Sequence, residues 1–135
     1  METDKINVEK EKIIIQLSML DSKTRDFEQQ IMAIDQELQE LKLLQNDLER
    51  FSKEGKKEIL MPLSRNILVK GNVIDSENVL VNVGGGILLR KTLDEAKEMS
   101  ENDEKKISRM KEKLLDEIDN IVNHMISLEA KIREA

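Results

Sequence analysis

Three consecutive glycines, Gly84-Gly85-Gly86, followed by the basic-hydroxyl pair Lys91-Thr92, are the residues that most invite a catalytic reading. Backbone amides in such a run can cradle phosphate oxygens. A phosphate-binding loop opening at Gly84, however, needs a glycine immediately before the Lys-Thr pair, and Arg90 stands there. A dinucleotide fingerprint needs a third glycine at position 89, which is Leu89. The run also leads into an apolar strand-like segment rather than a helix, so it reads as a hairpin turn.

His124 is the sole histidine, and the chain has no cysteine, so a histidine- or thiolate-based metal site cannot be assembled within one chain. Metal and cofactor are both expected to be none. The 28 carboxylates alternate with lysines at helical spacing, as on solvated helix faces, and nothing singles out an acid–base pair. No enzyme activity is expected.

All five glycines and Pro62 fall between residues 55 and 86, which divides the chain into helix, middle segment and helix. In the first flank Ile6, Ile13, Leu17, Leu20, Thr24, Phe27, Ile31, Ile34, Leu38, Leu41 and Leu48 follow alternating three- and four-residue steps. Lys10 and Gln45 interrupt them, and the pattern is that of a coiled coil. The second flank opens at Thr92, with Glu95 completing a capping box. Its apolar positions are Leu93, Ala96, Ile107, Met110, Leu114, Ile118, Ile121, Met125, Leu128 and Ile132. Ser100 and Asp103 fall on the seam, and the steps around Leu114–Ile118 suggest a stutter.

Matched flank lengths favour an intrachain antiparallel hairpin, placing Leu48 near Leu93 and Ile6 near Ile132. Two separate intermolecular coiled coils are the alternative. Between the flanks, Ile67, Val69 and Val73, then Val79, Val81 and Val83, alternate with polar or small residues across an Asp75-Ser76-Glu77-Asn78 turn. Ile59–Leu63 and Ile87–Lys91 complete about four short strands in two hairpins. The fold class is α+β, mainly α: one domain over 1–135, with helices at 5–52 and 92–133 and a β segment at 57–91.

Small sheets leave open edges, so Ile59, Leu60, Val69, Val73, Val79, Val81, Val83 and Ile87 are expected to mediate oligomerisation. Apolar residues also exceed what the seam can bury at the far ends of the helices. With Ile13 and Leu17 on the seam, Ile14, Ile15 and Met19 lie off it; with Met125 on the seam, Val122 and Ile126 lie off it. These eight residues form a candidate patch for binding other proteins, unless that end packs as a bundle.

A net charge of −6 disfavours nucleic acid and anionic membrane surfaces as partners. No apolar stretch approaches the ~18–20 residues that span a bilayer, and no signal peptide is evident, so a cytoplasmic location is expected. The two aromatics, Phe27 and Phe51, are too few for a compact globular core of this length.

The segments EILMPL (58–63) and VLVNVGGGILLRKT (79–92), followed by LDEAKEM, resemble the strand–turn–strand core of prefoldin and its run into the second helix. A Val-Gly-x-Gly turn, apolar strand, basic pair and acidic helix start are similar to α-class subunits, as are four strands in place of two. Ser64-Arg65-Asn66 departs from the glycine-rich turn common in archaeal α subunits and is closer to a eukaryotic α-class pattern. The resemblance implies a hexamer of two α-class and four β-class subunits joined through a double β-barrel. It further implies tips that hold unfolded proteins without ATP and pass them to a group II chaperonin. A filament-forming or scaffold relative is the alternative.

Overall fold

The computed structural model describes residues 2–54 and 58–134. Along the chain lie α1 (Glu2–Glu54), β1 (Glu58–Ser64), β2 (Ile67–Asn72), β3 (Asn78–Asn82), β4 (Leu88–Thr92) and α2 (Leu93–Glu134). Gly55 and residue 57, the expected start of the β segment, lie outside the described residues. The 53-residue α1 contains neither glycine nor proline, and its ends match the helix dipole, with Glu2 and Asp4 in the first turn and Lys53 in the last. Two compact units divide the chain, one of residues 1–37 with 106–135 and one of residues 38–105.

In the first unit the protected residues of α1 are those of the heptad seam. Ile13, Leu17, Leu20, Thr24, Phe27 and Ile31 are half-buried, and Ile34 is buried. On α2 the protected seam positions are Ile107, Lys111, Leu114, Ile118, Ile121, Met125, Leu128 and Ile132, with Ser108 half-buried beside them. Met110, expected on the seam, is instead 57% exposed. Lys111 takes its place, with its Nζ 2.6 Å from Asp35 Oδ1. A lysine can occupy a seam because its aliphatic stem packs while the ammonium reaches a carboxylate at the flank. With Lys111 counted, the steps 107, 111, 114, 118, 121 alternate four and three without interruption. The stutter expected around Leu114–Ile118 is therefore absent.

The helix-to-helix register also differs from the expected one. Asp35 and Lys111 carry numbers that add to 146, whereas Ile6 opposite Ile132 requires 138. No described residue of α2 faces Ile6 at the observed register, and Ile6 is exposed.

In the second unit Leu38, Leu41, Gln45 and Leu48 form the half-buried stripe of α1, and Ala96 and Ser100 are buried on α2. Gln45 Nε2 donates to Ser100 Oγ at 3.2 Å and to Glu104 Oε2 at 2.8 Å. Glu104, rather than the expected Asp103, is the half-buried position. Leu48 shares a cleft with Ala96 and Met99 instead of standing opposite Leu93. Thr92 caps α2 as its spacing implies. Its Oγ1 accepts from Glu95 N at 3.1 Å and donates to Glu95 Oε1 at 3.2 Å.

The strands form two separate antiparallel pairs, β1 with β2 and β3 with β4. Arg65 and Asn66 close the first hairpin with φ of 45° and 67°, the two positive values that a type I′ turn needs. A register shift between Pro62 and Ser64 leaves Leu63 out of the ladder. Gly84, Gly85 and Gly86 close the second hairpin with φ of 112°, 60° and 75°. Ile87 N donates to Gly84 O at 3.1 Å, which fixes the turn. A Cβ at Gly85 would meet nothing within 4 Å, so Gly85→Ala is opposed by backbone conformation alone. The expected loss is up to about 1 kcal/mol in a denaturant titration.

Asp75 organises the link between the hairpins. Its Oδ1 accepts from Glu77 N at 3.0 Å and Asn78 N at 3.2 Å, and its Oδ2 accepts from Arg90 at 3.0 Å. The Glu77 amide, then the Asn78 side chain, hold the Asp75 carboxyl below its ordinary 3.8. A depressed folded value contributes stability above the unfolded value, and that contribution is lost as pH falls through the folded one. An NMR titration should place the Asp75 midpoint below 3.8. A midpoint at or above that value would remove this hydrogen-bonded account of the link.

Candidate functional site

Two apolar surfaces stand out, one in each unit. The β surface belongs to residues 38–105. Strand alternation places Ile59, Met61, Val69 and Gly71 on one face of the first hairpin, and Leu60, Pro62, Leu68 and Lys70 on the other. Both faces carry large apolar side chains, as in strands that are covered on two sides. Gly71 makes room for Met61, whose Cε would lie 2.8 Å from an added Cβ. Sequence reading had no signal for that packing role.

On the second hairpin, Val79 and Val81 share a face with Leu89 and Lys91, while Leu80, Leu88 and Arg90 share the other. Of the expected assembly residues, Val69, Val73, Val79 and Val81 are half-buried within the chain itself. Ile59, Leu60, Val83 and Ile87 are exposed. Each strand has one neighbour in its sheet, so each also presents an unpaired edge. Beneath β3 lies an open apolar cleft of about 400 Å3, lined in part by Leu41, Leu44, Leu48, Val81 and Met99.

The second surface lies on residues 1–37 and 106–135. Ile13, Leu17 and Met125 occupy the seam and are half-buried, so they support the helix pair. Off the seam, Ile14, Ile15 and Met19 are 57, 59 and 68% exposed, and Val122 and Ile126 are also exposed. In heptad terms Ile14 and Val122 both take e positions, which line the same flank of an antiparallel pair. Met32, Met110 and Leu115 add exposed apolar area that sequence reading did not select. Met32 and Leu115 each directly follow a seam residue, Ile31 and Leu114, and neither belongs to an apolar run as dense as residues 13–20.

His124 is exposed, and among the described residues no group of three or more His, Cys, Asp or Glu could hold a metal ion. Asp75, whose carboxyl is held low, serves the loop through backbone amides and Arg90. No helix is long and apolar enough to cross a membrane among the described residues. What the arrangement can do is bury apolar area against other chains.

Comparison with known proteins gives a consistent picture. The family model described as "Prefoldin subunit" matches residues 20–135. A prefoldin subunit alpha of Thermofilum pendens is 33% identical over 82 residues, covering 61% of this chain and 64% of that protein. A prefoldin subunit alpha of Pyrococcus horikoshii is 30% identical over 92 residues, covering 67% and 62%. The matched region thus spans somewhat under two thirds of these relatives' own length. Among solved structures, a filamentous PFD from Methanocaldococcus jannaschii superposes with a TM-score of 0.57 at 22% identity, covering 93% of this chain and 98% of that one.

Proposed function

The chain belongs to the prefoldin family as an α-class subunit, and on that premise we propose that it is an ATP-independent chaperone subunit, a holdase rather than an enzyme. The observation that carries the proposal is the exposed set Ile14, Ile15, Met19, Val122 and Ile126 on a helix pair whose seam is already filled. Apolar area off a completed seam adds nothing to the pair and is available to the apolar segments of an unfolded client. Methionine suits such a surface because its flexible thioether fits many partners. In this reading the client sites are Ile14, Ile15, Met19, Val122 and Ile126, with Ile13, Leu17 and Met125 beneath them.

The β segment assembles the complex. Among the described residues the buried apolar side chains are Ile34, Ala96 and Leu128 alone, a thin core for a chain that is 39% hydrophobic. Further burial must come from other chains, and Leu60 on β1, with Val83 and Ile87 on either side of the glycine turn, are the exposed residues placed to supply it. The partners are β-class subunits, two α with four β, whose strands close the open edges into β-barrels. The complex works in the cytoplasm and delivers clients to a group II chaperonin.

A filament built from this chain is the second reading. Apolar side chains on both faces of the first hairpin favour it, since a two-sided surface permits open-ended stacking. Light scattering of the pure chain, with and without a β-class subunit, separates the two. The holdase reading expects a defined hexamer with the partner, and that hexamer should suppress aggregation of a denatured protein equally with and without ATP. Open-ended polymers in the partner's presence, or suppression that requires ATP, would count against it.

A further inference from the structure

We infer that the polar residues set into the seam, Gln45 with Ser100 and Glu104, select the register in which the two helices pair. The proposal is independent of what the exposed residues bind.

The apolar positions alone do not select a register. On α1 the seam runs Ile13, Leu17, Leu20, Thr24, Phe27, Ile31; on α2 it runs Leu114, Ile118, Ile121, Met125, Leu128, Ile132. All but Thr24 are large and apolar, so sliding one helix by seven residues sets one apolar row against another. A slip of that size is about 10 Å along the axis. The pairing of Ile6 with Ile132, which hydrophobic spacing suggests, is such a slip. It adds to 138, against 145 for Gln45 and Ser100.

The polar residues separate these alternatives. At the observed register Ser100, only 3% exposed, receives a hydrogen bond from Gln45 Nε2. The same amide reaches Glu104, and Lys111 reaches Asp35. No buried side-chain nitrogen or oxygen among the described residues lacks a partner. At 138, Gln45 would stand opposite Leu93 and Ser100 opposite Leu38, while Lys111 would meet Glu28 in place of Asp35. A slip in the other direction would put Glu104 opposite Leu48. Either slip removes Gln45 from Ser100 and Glu104 and sets its amide opposite Leu93 or Ile107, which is costly. The connection between the helices contains two strand pairs with no ladder between them.

The chain has no cysteine, so an introduced pair gives the sole possible disulfide. Thr24→Cys with Ile121→Cys reports the observed register. Thr24→Cys with Leu114→Cys and Thr24→Cys with Leu128→Cys report the two one-heptad slips. Each pair is placed in the full chain with its natural seam, and in a chain carrying Gln45→Leu, Glu104→Leu and Lys111→Leu. Closure is read as intramolecular disulfide under mild oxidation, with helical signal recorded in parallel. The natural seam should close the 24/121 pair and leave both slipped pairs open. The leucine seam should keep its helical signal and close a slipped pair at least about tenfold faster than the natural seam, because the cost of unpaired polar groups is gone. Closure of the 24/121 pair alone in the leucine chain would overturn the proposal and assign the register to the connecting strands. Should the triple variant lose helix, Gln45→Leu with Glu104→Leu is tested in its place, with Lys111 kept. An unchanged slipped-pair rate there would equally overturn it.

Discussion

Replacing Leu60 and Ile87 with lysine should leave the helix pair intact and abolish assembly with β-class subunits. The two side chains are 61% and 59% exposed in the single chain, so neither change removes a core contact. Leu60 lies beside Lys70 in the ladder, on a hairpin face that already accommodates one ammonium. Surface substitutions of this kind usually change a chain's own stability by less than about 0.5 kcal/mol. In a barrel the same positions would be covered, and an unpaired ammonium buried there costs several kcal/mol. At 1.4 kcal/mol per tenfold, about 4 kcal/mol corresponds to a thousandfold weaker assembly. Val81→Lys would be a less clean test, because Val81 is half-buried and lines the cleft beside Leu41 and Leu48. Light scattering at micromolar concentration, with circular dichroism alongside, reads the result. Full-size complexes from the Leu60→Lys, Ile87→Lys chain would show that the strands are not the assembly surface.

The elements that were legible in the sequence are those where apolar spacing coincides with burial. On α1, Ile13 to Leu48 supply apolar or short side chains at every seam position but Gln45, and the burial follows them residue for residue. The Thr92–Glu95 cap and the three-glycine turn were legible because few residue types satisfy those backbone geometries. The region from Ser100 to Lys111 was not. A count of hydrophobic residues prefers Met110 to Lys111, since it cannot see a lysine stem packed along the seam with its charge paired to Asp35. That one substitution created an apparent stutter, and the register taken from matched flank lengths, with Leu48 near Leu93 and Ile6 near Ile132, missed the one that Asp35 and Lys111 mark.

The hairpins show the same division. Strand positions followed from alternation, except that Val73, Val83 and Ile87 fall just outside β2, β3 and β4. The positive φ at Arg65 was hidden because arginine carries no preference for it, unlike the Asn-Gly pairs that usually mark such turns. The three glycines pointed to the pairing of β3 with β4, whereas the Asp75-Ser76-Glu77-Asn78 stretch was also read as a turn. It is instead a link, held by Asp75 to the Glu77 and Asn78 amides and to Arg90. Of the eight residues expected at the client surface, five are exposed and three support the pair. Heptad position distinguishes the two groups, because an e, f, b or c residue cannot be covered by a single partner helix.

Those five residues lead to the second large effect. A chain carrying Ile14→Ser, Ile15→Ser, Val122→Ser and Ile126→Ser should assemble normally and lose most of its ability to keep a denatured protein from aggregating. Serine ranks beside isoleucine and valine in helix propensity, so the backbone is nearly indifferent to the exchange. The seam residues Ile13, Leu17, Met125 and Leu128 are untouched, and the helical signal should persist. Each removed side chain is roughly half exposed. Covering that area against a client is worth about 1 kcal/mol at ~25 cal/mol per Å2, so four together forfeit about 4 kcal/mol at each tip. Two α-class subunits would share a client with four β-class tips, and avidity can hide the loss of one contact. The measurement is therefore a titration of assembled complex against a fixed amount of denatured protein, comparing the concentration that halves light scattering. A rise of tenfold or more is expected for the quadruple variant, with Met19 left in place as residual apolar surface. Unchanged suppression by a correctly sized complex would move the client site away from these helix ends, to the β surface or its cleft. A fall in helical content would instead show that the four residues pack against further helices.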